Sequence, residues 1–483
     1  MAAIVFFYIL FISAPAGFFQ YDGEYSKDRF REQMADYLDR IEENPGEERI
    51  FNPGLIRQIY VEDNGITGPK WDSRVNIEQL LNSIHNTQNH GLRPDDYHIK
   101  EIQSLIDFDD YKVSDSARLD LLLTDSFLLL SAHMASGKTE SDTTPPRWNA
   151  LEIMPEFDWK GFLQNSLAES RIYENIEQLA PEHPMYKDLK EVLKQYRNSE
   201  EDGESLTYPA GANEKTAMIR GQLERWRRMG DPGDHYIMVN IPAFDLYIVR
   251  NDIKMLTSKV VVGQPERQTP AFSSYLTEVE FNPFWIIPPG MLSRDIIPAV
   301  KDDVFYLENN NMEVLDKEWD PVDPLTVDWE KWYSLLKEND TDFPFVIRQK
   351  PGPDNEMGSI KFIMPNPYYV VIHDTPHRHL FDSDRRDFSS GCVRVEKPLR
   401  LAEYVFEKLT LTQIFEIIYR NEFEKKEIEN PIPVHITYFT LLVGEKGEVN
   451  FYEDIYNFDP PLIKAMEEPP PWLLPGQNGP EKE

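Results

Sequence analysis

The first part of the chain carries apolar positions at helical spacing. Apolar residues recur three or four apart from Phe30 to Ile41. Ser26 precedes this stretch as a candidate N-cap, and Asn44-Pro45-Gly46 follows it as a helix breaker. The pattern predicts an amphipathic helix that buries one face.

Two more helical patterns follow. One runs over Val75–His90 and stops at Gly91, and a stronger one runs from about Ser114 to Gly137. The second is apolar on nearly every side, which is typical of a helix at the centre of its domain. Residues 166–228 continue as polar helix, interrupted by the turn-rich loop SEEDGESLTYPAGAN.

After Gly230 the pattern changes to strands. The segments YIMVNIP, FDLYIVR, IKMLT, KVVVG, SIKFIM, YYVVIHD and HITYFTLLV are rich in β-branched and aromatic residues. Arg250-Asn251-Asp252 reads as a hairpin connection. Residues 282–345, rich in Pro, Asp, Asn and Trp, interrupt the strands and are predicted to form an inserted subdomain or lid.

Charge and composition narrow the function. The net charge of −34 argues against a nucleic-acid partner and against binding to an anionic membrane surface. The apolar start ending in Ala14-Pro15-Ala16 resembles a secretory signal cut after Ala16, and the alternative is a buried N-terminal strand. The sequence shows no second long apolar stretch, so we expect no stable membrane insertion.

The single cysteine lies among small and polar residues, in RRDFSSGCVRV. It rules out an intramolecular disulfide and thiolate metal clusters. Because a thiol needs a base to become a nucleophile, we pair Cys392 with His373, which ends an apolar strand. Arg394 is expected to lower the thiol pKa, and Gly391 to let the backbone approach a substrate. The alternative is a buried cysteine with surface histidines.

The two histidines that follow His373 do not alter the pairing of Cys392 with His373. His377 and His379 follow His373 in an Arg- and Asp-rich loop, without the spacing of metal ligands on a helix. We therefore predict no metal site. The cluster Arg225-Trp226-Arg227-Arg228 is expected to pair with acidic neighbours, with its tryptophan packed.

The segments HDTP, RR and SSGCVR together resemble the active-site signature of L,D-transpeptidases with a YkuD-type catalytic domain. The resemblance extends to the large periplasmic, YcbB-like branch through VVVGQPERQTPAFSS, NPFWIIPP and RQKPGPDNEMGSIKFIMPN. In the helical half it extends to that branch's scaffold domain through NHGLRPDDY and DLLLTDSFLLLSAHMASGK.

This resemblance implies an α+β multidomain fold, with an N-terminal helical scaffold domain and a mainly β catalytic domain that carries the inserted lid. The expected divisions are a signal peptide at 1–16, the scaffold domain at 17–165, a helical linker at 166–230, the catalytic domain at 231–467 and a disordered tail at 468–483.

The resemblance also implies the chemistry. Cys392 would form an acyl-enzyme with the peptidoglycan stem tetrapeptide, release D-alanine and pass the acyl group to an amine, giving 3→3 cross-links in an exported, periplasmic protein. His373 would be the base, Gly391 and Ser390 would shape the oxyanion loop, and Arg394 and Asp374 would contact substrate. No cofactor is required, and carbapenems are the expected inhibitors.

Two features depart from the family. Ser390 stands where many members have histidine before Gly-Cys, and residues 166–228 contain no recognisable peptidoglycan-binding module. Two alternatives stay open at this point: an L,D-carboxypeptidase, in which water replaces the amine, and a non-catalytic cell-wall scaffold protein.

Overall fold

The computed structural model describes residues 23–43, 49–51, 53–107, 112–113, 115–139, 144, 157–201, 212–337, 343–444 and 446–470. The predicted signal peptide and residues 471–483 of the predicted tail lie outside the described residues.

The N-terminal part is built of helices around a central one. They are α1 Gly23–Glu43, α2 Pro53–Tyr60, α3 Arg74–Asn86, α4 Ile99–Leu105, α5 Ser116–Ser136, α6 Trp159–Ala168, α7 Ile172–Glu177, α8 Pro184–Glu201 and α9 Ala212–Met229. Helix α1 begins before Ser26, so the predicted cap at that residue is wrong.

Helix α5 is the centre of this part, as its all-round apolar pattern predicts. Asp115 caps it by accepting the Arg118 N–H, and Gly137 ends it with φ 87°. It is the one described helix long and apolar enough to cross a membrane, yet 89% of its most apolar window is buried among other helices. Its length and composition therefore reflect a core position.

Eight strands of the C-terminal part form a closed sheet, and a ninth pairs on its edge. They are β1 His235–Asn240, β2 Asp245–Arg250, β3 Ile253–Gly263, β4 Phe272–Phe281, β9 Ile360–Ile363, β10 Ile372–His373, β11 Asp387–Ser389, β12 Val393–Val395 and β13 Glu424–Thr437. Four short strands between β4 and β9, β5 to β8, belong to the insertion.

The strand order is β11-β3-β12-β10-β9-β4-β13-β1-β2. Because β3 also pairs with β2, the sheet closes on itself around an apolar core. The predicted hairpin between β2 and β3 is confirmed, since Asn251 and Asp252 both have positive φ, as a two-residue hairpin turn requires.

The insertion between β4 and β9 has its own sheet and its own core. Strands β5 Trp285–Ile286, β6 Met312–Leu315, β7 Pro321–Val322 and β8 Val346–Gln349 pair in the order β7-β6-β8-β5. The turn Leu292–Ile296 and the helices α10 Ile297–Asp302 and α11 Trp329–Lys337 pack on this sheet. Strand β8 lies just past the predicted boundary at 345.

In the described part of the chain, three further helices and two short strands lie after β12. They are the helices α12 Pro398–Val405, α13 Leu411–Tyr419 and α14 Asp459–Glu467, and the strands β14 Leu441–Val443 and β15 Val449–Phe451.

Helix α9 joins the two parts through the basic cluster that stood out in the sequence. Trp226 stacks between His183 and Phe439, with ring centroids 4.3 and 4.9 Å away. Arg225 pairs with Asp459 of α14 at 2.6 Å, and Arg227 pairs with Glu224 at 2.7 Å. The predicted pairing and packing of this cluster are confirmed.

Candidate functional site

Cys392 lies in the short loop 390–392 between β11 and β12, called the cysteine loop below. The Gly391 N–H donates to Ser389 Oγ at 3.1 Å, and Ser389 Oγ donates to the Cys392 carbonyl at 2.6 Å. Thr269, in the loop between β3 and β4, donates its Oγ1 hydrogen to the Gly391 carbonyl at 2.8 Å. These bonds fix a tight turn, and Gly391 supplies the positive φ of 117° that it needs.

His373 reaches the same place from β10, the strand parallel to β12. The register pairs His373 with Arg394, and the Val393 N–H donates to the Val371 carbonyl at 3.0 Å. His373 and Arg394 are partners across the two strands and therefore share a face of the sheet, and Cys392 lies in the loop directly before β12. The sheet thereby brings together residues that are about twenty positions apart in the chain.

The ring of His373 is buried and held in one orientation. Its Nδ1 is hydrogen-bonded to the Asp374 carbonyl. A proton on Nδ1 satisfies that bond, and the Met357 backbone is a second hydrogen-bond partner of the ring. The tautomer with its proton on Nδ1 is the one in which Nε2 can act as a general base. Burial and, to a smaller extent, the neighbouring Arg394 lower the pKa of His373 to about 3, against the opposing effect of hydrogen bonds with the backbone of Asp374 and Met357.

The thiol is half-buried, and its pKa shift is opposite to the one expected from Arg394. Burial raises the pKa of Cys392 above its ordinary value, and this outweighs the lowering by the Val371 backbone, Lys361 and Arg394. The expected lowering by Arg394 is present, but it is smaller than the raising of the pKa by burial. At neutral pH the site holds a thiol and a neutral imidazole.

Arg394 is engaged with protein groups. Its Nη2 lies 3.5 Å from Glu356 Oε2, and the other oxygen of that carboxylate lies 2.9 Å from His377 Nε2. The Arg394 side chain is only 17% exposed. Glu356 therefore sits between Arg394 and His377, a link that the sequence pattern did not indicate.

Asp374 faces away from open solvent and binds its own chain. Its carboxylate accepts the Ser359 N–H at 3.0 Å and the Arg378 guanidinium at 3.1 Å. A Cβ at Gly358 would lie 2.5 Å from the Asp374 carboxyl carbon, so the glycine is required by close approach. These contacts favour a positioning role for Asp374, which differs from the predicted substrate contact.

Two residues near the thiol were missed by sequence reasoning. Arg267 donates to Ser390 Oγ at 3.0 Å from the loop after β3. Tyr369, 83% exposed and with φ 57°, presents its carbonyl 3.9 Å from Cys392 Sγ. Arg267 lies in the stretch VVVGQPERQTPAFSS, which resembles the family, and Tyr369 lies in YYVVIHD, which the sequence predicts to be a strand; nothing in the local pattern marks either residue as functional.

Metal binding finds no support in the geometry. His377 and His379 pack edge to face with ring centroids 6.2 Å apart. Within the part of the chain that the structure describes, no group of three or more His, Cys, Asp or Glu side chains is arranged to hold a metal ion.

Comparison with known proteins gives matches for both parts of the chain. Residues 234–414 match the model of the YkuD L,D-transpeptidase catalytic domain, and residues 55–193 match that of the Scaffold domain. A protein of Haemophilus influenzae named "Putative L,D-transpeptidase" is 27% identical over 416 residues, which cover 86% of this chain and 80% of the relative.

A solved structure titled "Structure of the Ldtfm-avibactam carbamoyl enzyme" also matches, at 13% identity and a TM-score of 0.21. The match covers 42% of this chain and 49%, about half, of the solved chain. With both family models and the relative in agreement, the chain carries a YkuD-type L,D-transpeptidase catalytic domain behind a scaffold domain, which is the YcbB-like architecture.

Proposed function

We propose that this protein is a peptidoglycan L,D-transpeptidase of the cell envelope in which Cys392 is the nucleophile and His373 the base. One observation supports the proposal above all. Strand β10, which carries the buried, neutral His373, pairs in parallel with β12, which directly follows Cys392, and Arg394 and Lys361 act on the pKa of both groups. The family of the catalytic domain supports the substrate class and the envelope location.

The first half-reaction forms an acyl-enzyme. Nε2 of His373 takes the Cys392 proton as the sulfur attacks the carbonyl that joins the third stem residue to D-alanine. The C–N bond breaks, the proton passes from His373 to the leaving amine, and D-alanine departs. Because the resting thiol is protonated, this transfer must occur during the attack itself.

The second half-reaction releases the acyl group. The side-chain amine of a second stem attacks the thioester, His373 accepts a proton from that amine, and Cys392 leaves as the thiol after receiving the proton. The product is a 3→3 cross-link. With water in place of the amine, the same steps give the L,D-carboxypeptidase reaction.

The oxyanion of each tetrahedral intermediate requires a backbone donor. The Gly391 N–H already donates to Ser389 Oγ, and the Val393 N–H donates to Val371. We therefore assign the Cys392 N–H as the oxyanion donor. Its hydrogen bond to the substrate oxygen strengthens as negative charge develops on that oxygen. Gly391 shapes this turn through its positive φ, and Ser390 supports the loop through Arg267.

Purified protein incubated with disaccharide tetrapeptides tests the proposal. Cross-linked dimers that lack one D-alanine, identified by mass spectrometry, are the expected product. Tripeptide monomers alone would assign the carboxypeptidase instead. Bound but unchanged tetrapeptide would support the non-catalytic scaffold alternative.

The pH dependence of acylation follows from the shifted pKa values. Since His373 has a pKa of about 3, its ring is protonated only below that value and stays able to accept a proton at higher pH. We expect the rate of Cys392 acylation by a carbapenem to be nearly constant from about pH 5 to about pH 8.

The measurement is intact mass against time at each pH, with circular dichroism as a check that the fold persists. A rate that declines on acidification with a midpoint of about 6.5, the ordinary pKa of histidine, contradicts the assignment of the buried ring as base.

A further inference from the structure

We propose that Arg267 is a positioning residue that couples the insertion to the cysteine loop. Its guanidinium binds Asp295 of the insertion through two bonds of 2.8 Å, and the same Nη1 donates to Ser390 Oγ at 3.0 Å. One side chain thus bonds both the insertion and the residue that precedes Gly391-Cys392. The inference deepens the proposed function and rests on it for its effect on acylation.

The insertion end of this link is firmly held. Asp295 lies in the turn Leu292–Ile296, whose flanking side chains Leu292 and Ile296 are buried in the insertion's own core. Its carboxylate is about one-third exposed and the Arg267 side chain about one-fifth. A two-bond arginine–carboxylate pair of this kind fixes orientation as well as distance.

The loop end of the link is the least anchored part of the cysteine loop. Ser389, Gly391 and Cys392 are held by mutual bonds and by Thr269, whereas Ser390 is exposed and its hydroxyl bonds Arg267. Loss of Arg267 therefore removes the bond that fixes this residue without touching the bonds that form the turn.

The insertion is packed as a unit of its own. It has a core separate from that of the closed sheet and leaves and re-enters the sheet between β4 and β9. A displacement of the insertion would move Arg267 through its ion pair with Asp295. Arg267 then shifts Ser390, and with it the Cys392 N–H that we assign to the oxyanion.

Acylation kinetics test the coupling. We expect Arg267→Ala to lower the maximal rate of Cys392 acylation by a carbapenem about 10-fold or more, since small displacements of reacting groups have effects of this size, with little change in the half-saturating concentration. Asp295→Asn and Ser390→Ala should each lower it several-fold. The double variant Asp295→Asn/Ser390→Ala should be no slower than the slower of its two single variants, because both changes interrupt one link.

Glu313→Gln is the matched control. Glu313 is another insertion carboxylate that pairs with an arginine, Arg348, at 2.7 Å and similar exposure. Its described ion-pair partners, Arg348 and Lys350, both lie between β4 and β9 and not in the cysteine loop. The acylation rate of Glu313→Gln should equal that of the wild type. Wild-type kinetics in Arg267→Ala would overturn the coupling, and so would additive effects of the two single variants. A change confined to the half-saturating concentration would assign Arg267 to ligand binding instead.

A second measurement does not depend on the proposed function. Cys392 is the only thiol in the chain, so its alkylation by iodoacetamide reports the state of the loop directly. In Arg267→Ala we expect faster alkylation at pH 8, because a looser loop exposes the thiol, while Glu313→Gln stays at the wild-type rate. Unchanged alkylation in a folded Arg267→Ala protein contradicts the coupling. A wild-type protein that is alkylated but never acylated contradicts the proposed function alone.

Discussion

Cys392→Ala is expected to abolish both the formation of 3→3 cross-linked dimers and the covalent addition of a carbapenem. The sulfur is the atom that becomes acylated, and no other thiol is present to replace it. The carbapenem resembles a strained acyl donor, so a thiol beside a base and an oxyanion donor should open its ring to a thioester.

The fold should survive this change. The backbone of Cys392 keeps its carbonyl bond to Ser389, and alanine fits the half-buried side-chain position. Intact mass after incubation, followed by peptide mapping, checks the result. The wild type should show a single adduct on the peptide that contains Cys392, and Cys392→Ser should show none.

Two outcomes would contradict the nucleophile assignment. Dimer formation at the wild-type level by a folded Cys392→Ala protein is one. An adduct mapped to Ser389 or Ser390 is the other, because it would indicate a serine-based enzyme.

His373→Ala is expected to lower the acylation rate by about 10²- to 10⁴-fold, the usual effect of removing a general base. The burial of Cys392 makes this loss large, since a thiol with a raised pKa provides little thiolate without a base. Rates of carbapenem acylation and of dimer formation, measured near pH 7, check the prediction.

His377→Ala is the matched control, because His377 lies four residues after His373 in the loop that follows β10. His377 is 43% exposed and bonds Glu356, whose other oxygen lies near Arg394. Removing this ring leaves His373 and Cys392 in place, so the rate should stay within a few-fold of the wild type. Equal losses in the two variants would mean that His377 shares the role of base.

The proposed link from the insertion through Arg267 to Ser390 affects how the acylation rate of His373→Ala is interpreted. If Arg267 sets the position of Ser390, the acylation rate reports both the base and the loop. Measuring His373→Ala together with Arg267→Ala separates them, because the base acts on the proton and Arg267 on the position of the loop. Effects that multiply would indicate independent contributions.

Much of the helical part could be predicted from the sequence, because helix formation depends on residues that are close together in the chain. The apolar period of α5 and its end at Gly137 follow from residues within the helix, and so does its central place in the domain. Where prediction failed, as with Ser26, the choice lay between neighbouring polar residues. The free-energy differences between such caps are small, so tertiary packing decides them.

The hairpin at Asn251-Asp252 and the packing of Trp226 were also readable, since turn residues and a large apolar side chain each have few stable environments. The closure of the sheet could not be predicted from the sequence. Pairing of β3 with β12 and β11, and of β1 with β13, joins segments far apart in the chain, and no periodicity encodes which strand lies beside which.

For the site, the sequence by itself identified which types of reactive residue are present. The one cysteine, the histidine at a strand end and the glycine before the cysteine are local features, and the resemblance to a family added their roles. Only the tertiary structure decided that the thiol pKa rises, because desolvation depends on what surrounds Cys392. It also decided the partners of Arg267, Asp374 and Arg394, since hydrogen bonds between distant loops exist only after strands β3, β10 and β12 have come together.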